Sequence, residues 1–562
     1  SLSGDHNFAA GQCSLYSNWG GCHNTAIGAQ TLESNTTGSN NIAVGYLSLK
    51  ANTTGTDNQA IGSYALNCNT TGTGNAAMGR NALRCNTTGI HNTGIGYYAL
   101  YYNTEGDHNA AIGLQALFSN TTGDDNQAIG RYALQNNTTG CYNTAIGNRA
   151  LCKNTTGENN TAIGHYALCG SLSGDHNFAA GNYALYSNWG GCYNNAIGKD
   201  SLKCNTTGNY NNAIGSYGAL CKNTTGENNN AFGQSALQAN TTGGWNTGIS
   251  ECALKSNTTG NFNFAVGRLA LFGNTTGNSN NAIGCGALQN NSTGTGNHAI
   301  GQSALFTSVT AVANIGIGSS ALYYNKTGDY NVAVGNAALY NNTEGSFNSA
   351  LGESGLYKNT TGCNNSVIGS SALYYNTTGN YNTAIGQKAL FNSLSGDHNF
   401  AAGQNALYSN YGGCNNTALG RDALNKNTTG CYNFAAGHAP LYANTTGEHN
   451  TAIGQYALYA NTTGEHNTAI GNVALNSNTT GNCNVAMGRY ALNKNTTGCN
   501  NTGIGALAGE HTDDGCCNSF YGYAAGRYLA NGSTTLTSPD NSTYVGACTR
   551  GYAVGDTNVT VI

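Results

Sequence analysis

The sequence predicts an all-β fold, a parallel β-solenoid or β-roll with about 17 residues per turn. Three observations point there. A unit with the consensus N-T-T-G-x-x-N-x-A-I-G-x-x-A-L-x-x recurs roughly thirty times in near-perfect register, from Ser1 to about His511; residues 52–68 (NTTGTDNQAIGSYALNC) and 69–85 (NTTGTGNAAMGRNALRC) are consecutive copies. Two packed helices need about 30 or more residues per unit, which rules out a helical repeat. The apolar positions, 9, 10, 14 and 15 counted from the Asn of NTTG, also ignore the helical period.

Each stretch of the unit has an expected role. NTTG at positions 1–4 supplies turn chemistry, because Asn and Thr side chains bond local backbone and Gly adopts a positive φ. Positions 7–11 and 13–16 are each one short strand long, with glycines at 4 and 11 as punctuation. One unit then makes one turn, with rungs about 4.8 Å apart and a shaft on the order of 140 Å for thirty rungs. Successive strand side chains face opposite ways, so neither the Ala–Ile nor the Ala–Leu neighbours can share a core. The large residues, such as Ile61 and Leu66, are expected inside. Ala60, Gly62 and Ala65 are expected on a second face that packs closely against a partner chain. Burying one Ile and one Leu contributes roughly 3–6 kcal/mol per rung. Ordering the backbone costs about 1–2 kcal/mol per residue. A lone rung is therefore unstable, and Asn and Thr ladders, neighbouring rungs or other chains must hold it.

The register breaks in a few places. SLSGDHNFAAG begins at Ser1, Ser171 and Ser393, spacings of ten periods and of thirteen periods plus one residue, the mark of block duplication. The extra residue lies in the 18-residue unit 205–222. Residues 308–324 have lost NTTG, so a kink or altered loop is expected there. The chain accordingly divides into a shaft, residues 1–511, and a divergent cap or subunit-joining segment, residues 512–562.

Composition excludes several functions. Only 8% of the residues are charged and the net charge is −4, so there is no polybasic surface for nucleic acid. No apolar run approaches the roughly 20 residues of a membrane span, and no signal peptide is visible; the start at Ser1 reads as processed or trimmed. With 81 Gly and only two prolines, Pro440 and Pro539, the chain departs from globular usage without being disordered.

The 20 cysteines lack a zinc-type C-x-x-C pattern, yet several fall on like positions of consecutive rungs. Cys68 and Cys85 share position 17, Cys152 and Cys169 position 16, and Cys414 and Cys431 position 5. Cys204 and Cys221 are one rung apart across the insertion, and Cys483 and Cys499 are offset by one position. Stacked Cα atoms about 4.8 Å apart lie within disulfide reach, so these ten are candidate inter-rung disulfides and imply an oxidising, extracellular setting. The vicinal Cys516–Cys517 has no assigned partner.

Other patterns carry less. N-T-T matches the N-glycosylation acceptor, but glycans on rungs about 4.8 Å apart would crowd one another. His91 and His108, like His449 and His466, stack at position 6 beside Asp107, Glu448 and Glu465, without a complete metal-ligand set. Tyrosine rows such as Tyr97, Tyr98, Tyr101 and Tyr102 are candidates for stacking on glycans. Acids such as Asp57 and Glu158 sit in variable positions, and no nucleophile–base pair or phosphate loop stands apart from the repeat. No catalytic residue, metal or cofactor is expected, and the chain is not expected to be an enzyme.

The N-x-A-I-G strand with its small neighbours resembles the head repeat of trimeric autotransporter adhesins, although their period is shorter. The resemblance implies a left-handed roll and a trimer. The longer wording NTTGxxNxAIGxxAL looks closer to tail-fibre and surface-fibre proteins of phages and environmental microbes. Residues 540–546 (DNSTYVG) and 555–562 (GDTNVTVI) look like the closing strands those fibres place before a self-cleaving chaperone. No catalytic residue carries over. The implied function is an extracellular structural or adhesive fibre that associates with copies of itself, as a trimer or a head-to-tail filament, and touches a surface glycan or receptor. The alternative is the shaft of a viral or phage receptor-binding fibre, located on the virion.

Overall fold

The computed structural model describes residues 4–555 and 557–562. Residues 1–3, which open the first repeat, and one position of the closing GDTNVTVI segment lie outside the described residues. The chain forms two compact units, Ser1–Ser279 and Asn280–Ile562, each a parallel β-solenoid. Sixteen short strands belong to the first and seventeen to the second, and no helix occurs among the described residues. Within each unit, consecutive strands pair in parallel at a spacing of one repeat. Gln59–Ile61 thus lies against Ala76–Met78 with Ile61 opposite Met78.

The assignment of inside and outside differs from the sequence expectation. Ala60 is fully buried, whereas Ile61 beside it is 42% exposed. Ala65 and Leu66 are both fully buried. Leu66 therefore lies inside as expected, while Ile61, Ala60 and Ala65 do not follow the expected division. The reason is the narrowness of the coil. A Cβ placed on Gly94, at strand position 9, would already lie 3.3 Å from Leu83 Cγ, so the core is one alanine and one leucine thick. Isoleucine at position 9 does not fit, and the pleat then sends position 10 outward. A valine at this position of the repeat follows the same rule. Val367 is buried in place of alanine, and the facing position 14 of the preceding rung is Gly355, whose added Cβ would lie 3.4 Å from Val367 Cγ1.

The expected second strand, positions 13–16, is a run of turns. Tyr64 and Leu66, at positions 13 and 15, have φ of 63° and 49°, and Asp57 at position 6 has φ of 60°. Corners in the left-handed region cancel the alternation of faces, so adjacent Ala65 and Leu66 both point inward. Each such residue costs about 1–2 kcal/mol relative to right-handed backbone. The surrounding lattice holds them in place. Tyr64 N donates to Tyr46 O on the preceding rung (2.9 Å), and Leu66 N to Ala82 O on the next (3.0 Å). The two consensus glycines serve different ends. Gly62 has φ +135°, and a Cβ there would meet Gly79 O at 2.6 Å. Gly55, in NTTG, has no such φ; it is glycine because Gly72 O would lie 2.3 Å from its Cβ.

The asparagines form buried ladders rather than simple turns. Asn69 Nδ2 donates to Asn52 Oδ1 (2.9 Å) and to Gly72 O (2.9 Å). At position 7, Asn75 N donates to Asn58 Oδ1 (3.0 Å) and Asn75 Nδ2 to Gly89 O (2.8 Å). Thr70 Oγ1 adds a bond to Thr87 O (3.0 Å). Serine at position 1 interrupts the first ladder: Ser171 and Ser393 are buried with unpartnered hydroxyls, and the Oδ1 atoms of Asn154 and Asn376 on the rungs before them are orphaned too.

The irregular units keep the coil. Residues 308–324 show neither kink nor altered loop: Ile315–Ile317 pairs in register on both sides. Ser308 stands at position 1 and Ala311 in place of glycine at position 4, both buried. The extra residue of the 18-residue unit is taken up after the strand, where Tyr217 and Gly218 have φ of 59° and 82°, while Asn212 still pairs with Asn230. Beyond Thr512 the ladder continues, with Ser519 opposite Thr543 across 24 residues and an antiparallel bridge Tyr528–Thr535 in the excursion. Here aromatic rings replace the alanine column. Phe520 and Tyr544 are fully buried and stacked at 5.2 Å, and Gly509 and Gly526 leave the space their rings fill.

Candidate functional site

One extended surface feature is the column at position 10. Ile95, Ile112, Ile129, Ile146 and Ile163 occupy five successive rungs of the first unit, each 36–42% exposed. Ile283, Ile300 and Ile317 continue the pattern in the second unit. Their strands are held in parallel register, so the side chains form a ridge at the rung spacing.

The thiols form rows. All twenty cysteines are free. Cys152 and Cys169 are buried with Sγ atoms 3.3 Å apart. The hydrogen bond from Cys169 pulls the Cys152 thiol down to about 7, against its burial, while that bond and burial push Cys169 up. Cys68 lies beside Cys85, and Cys204 beside Cys221; burial first, and then the neighbouring sulfur, raises Cys85 and Cys221. Cys414 N donates to Cys431 Sγ (3.2 Å). The thiol at hand for Cys499 is that of Cys516, at 2.9 Å. Cys483 sits at position 6 of the rung before, its N–H on Glu465 O. Position 5 holds further cysteines outside the ten candidates. Cys141, Cys192 and Cys363 each accept the N–H of position 5 on the preceding rung at 3.3 Å, as the Asp107 carboxylate does for Ile90.

Rings stack on the same lattice. His91 and His108 lie 5.2 Å apart, and His449 sits between Tyr432 and His466 at 4.9 Å from each. Among the described residues no group of three His, Cys, Asp or Glu side chains gathers as a metal site. The longest column, Phe306, Tyr323, Tyr340, Tyr357, Tyr374, Phe391 and Tyr408, runs at position 16 of the second unit with centroids 4.9–5.4 Å apart. Tyr101 stacks on Phe118 at 5.4 Å, Tyr98 and Tyr102 meet that ring edge to face, and Tyr97 packs edge to face on Tyr98.

No protein-family model and no curated protein matches the chain.

The sequons are changed most by the fold. The NTTG asparagines, Asn52 and Asn69 among them, are fully buried, and their Nδ2 atoms are engaged in the ladder. A glycan on that nitrogen would replace one of its two N–H donors, break one of the two hydrogen bonds and have no space. No helix among the described residues is long and apolar enough to cross a membrane.

Proposed function

We propose that this chain is a structural and adhesive fibre protein that works outside the cell and associates with copies of itself through its isoleucine columns. The observation that carries the reading is the ridge of half-exposed isoleucines at position 10. Soluble monomers rarely expose contiguous apolar patches of more than a few hundred Å2. A ridge repeating at the rung spacing over runs of successive rungs is matched along its length only by a surface of the same pitch, which a second copy supplies. No catalytic step, metal or cofactor belongs to this role.

Sedimentation of the native chain and of an Ile112→Asn/Ile129→Asn/Ile146→Asn variant tests it. The native chain is expected to sediment as an oligomer at micromolar concentration, and the variant as a smaller species with an unchanged circular dichroism spectrum. A monomeric native chain, or an unaltered oligomer in the variant, contradicts the reading.

The shaft of a viral or phage fibre is the second reading, and the buried sequons are as compatible with it as with a microbial surface fibre. A chain made on a glycosylating secretory route meets the transferase before it folds, and sugars on the ladder asparagines would block folding. Synthesis without that machinery suits a virion fibre and a microbial surface fibre alike.

A further inference from the structure

On the second unit an open groove of about 520 Å3 runs along the coil, with each wall built from four successive rungs. One wall is the position-17 row Tyr324, Asn341, Lys358 and Tyr375. The other is the position-2 row Thr343, Thr360, Thr377 and Leu394. The threonine hydroxyls are already committed, donating to the backbone oxygens of Thr360, Thr377 and Leu394 at 3.1, 2.9 and 2.9 Å. That wall therefore presents methyl groups.

The tyrosines at the two ends have a defined orientation. The neighbouring position-16 rings stack one per rung, nearly parallel, so their planes lie across the coil axis. Tyr324 stands at 88° to Tyr340, and Tyr375 at 87° to Phe391. Their faces therefore run along the axis, one at each end of the position-17 row, and both are exposed, at 40% and 39%. Between them stand the amide of Asn341 and the ammonium of Lys358, the latter 5.3 Å from the Tyr357 ring.

We propose that this groove binds a neutral, extended oligosaccharide of three or four β-1,4-linked hexopyranose residues. The C–H faces of such sugars pack on aromatic faces, and their equatorial hydroxyls need a few fixed polar partners between apolar walls. An extended β-1,4 chain also advances per sugar by nearly the rung step of about 4.8 Å, so successive sugars meet Tyr324, Asn341, Lys358 and Tyr375 in turn. A peptide strand is served less well, because the backbone groups along the threonine wall are already paired rung to rung and offer no free edge.

Calorimetric titration with cellohexaose and with chitohexaose tests the proposal. At least one is expected to bind, and the Tyr324→Ala/Tyr375→Ala variant to bind it at least about tenfold more weakly. The Tyr432→Ala variant, which alters an exposed ring outside the groove, is expected to match the native chain. Thermal unfolding is expected to be unchanged in both variants, since the substituted rings are exposed. The proposal is overturned if neither sugar binds, or if the double variant binds as the native chain does. It is equally overturned if the double substitution alters only sedimentation, which would give the groove to a second copy of the chain.

Discussion

A single amide at position 1 ties two rungs and a turn together: Asn69 Nδ2 donates to both Asn52 Oδ1 and Gly72 O. In one repeat taken alone this asparagine is indistinguishable from an ordinary turn residue, which is why the sequence suggests turn chemistry and not full burial. Only the stack brings the second acceptor. The serine substitutions reveal the consequence. Ser171 and Ser393 leave buried oxygens unpartnered on two rungs each, and an unmade buried hydrogen bond costs about 1–3 kcal/mol. Ser171→Asn and Ser393→Asn are therefore each expected to stabilise their own unit by about 1 kcal/mol or more, read as a rise in the calorimetric unfolding temperature. An unchanged or lowered temperature would mean that the ladder does not extend through those rungs. The cysteines show the same limit on legibility. Cys152 and Cys169 meet as their spacing suggests, but the proximity of Cys499 and Cys516 emerges only once the ladder is followed past the point where the repeat becomes irregular.

Within an element, the choice between inside and outside depended on a strand that does not form. If positions 13–16 had been extended, leucine and alanine would face opposite ways, and a wider coil would admit isoleucine. Left-handed corners at Tyr64 and Leu66 instead put alanine and leucine on the same side and close the coil to the width of an alanine. Periodicity signals a short strand plainly, but it carries no mark of a left-handed leucine, a conformation that neighbouring rungs impose. The pair Val367 and Gly355 tests this packing rule. Val367→Ala removes two buried methyls and is expected to cost about 1–2 kcal/mol. Gly355→Ala is expected to be more favourable in the Val367→Ala background than in the native chain, with a coupling of about 1 kcal/mol in a double-mutant cycle. Additive effects would mean that the two side chains do not share one space.

For the molecule as a whole, the period alone gave the fold class: nearly every repeat makes one rung, in register with its neighbours within each unit. What the surface offers was less legible, because reversing one alanine and one isoleucine turns an expected smooth face into an apolar ridge. That reversal changes the proposed mode of assembly from close backbone approach to interdigitating side chains, while leaving self-association as the reading that best accounts for the ridge. The groove was hidden for a related reason. Tyr324 and Tyr375 are 51 residues apart, and three stacked rungs bring them into one wall. Both readings rest on leucine inside and isoleucine outside. The most direct measurement compares thermal unfolding of Leu66→Ala/Leu83→Ala/Leu100→Ala with that of Ile61→Ala/Met78→Ala/Ile95→Ala under conditions where the chain does not associate. Each buried leucine lost is expected to cost about 2–5 kcal/mol, so the first variant should melt far below the native chain and the second close to it. The reverse order would contradict the fold's division into core and surface, and with it the proposed assembly face.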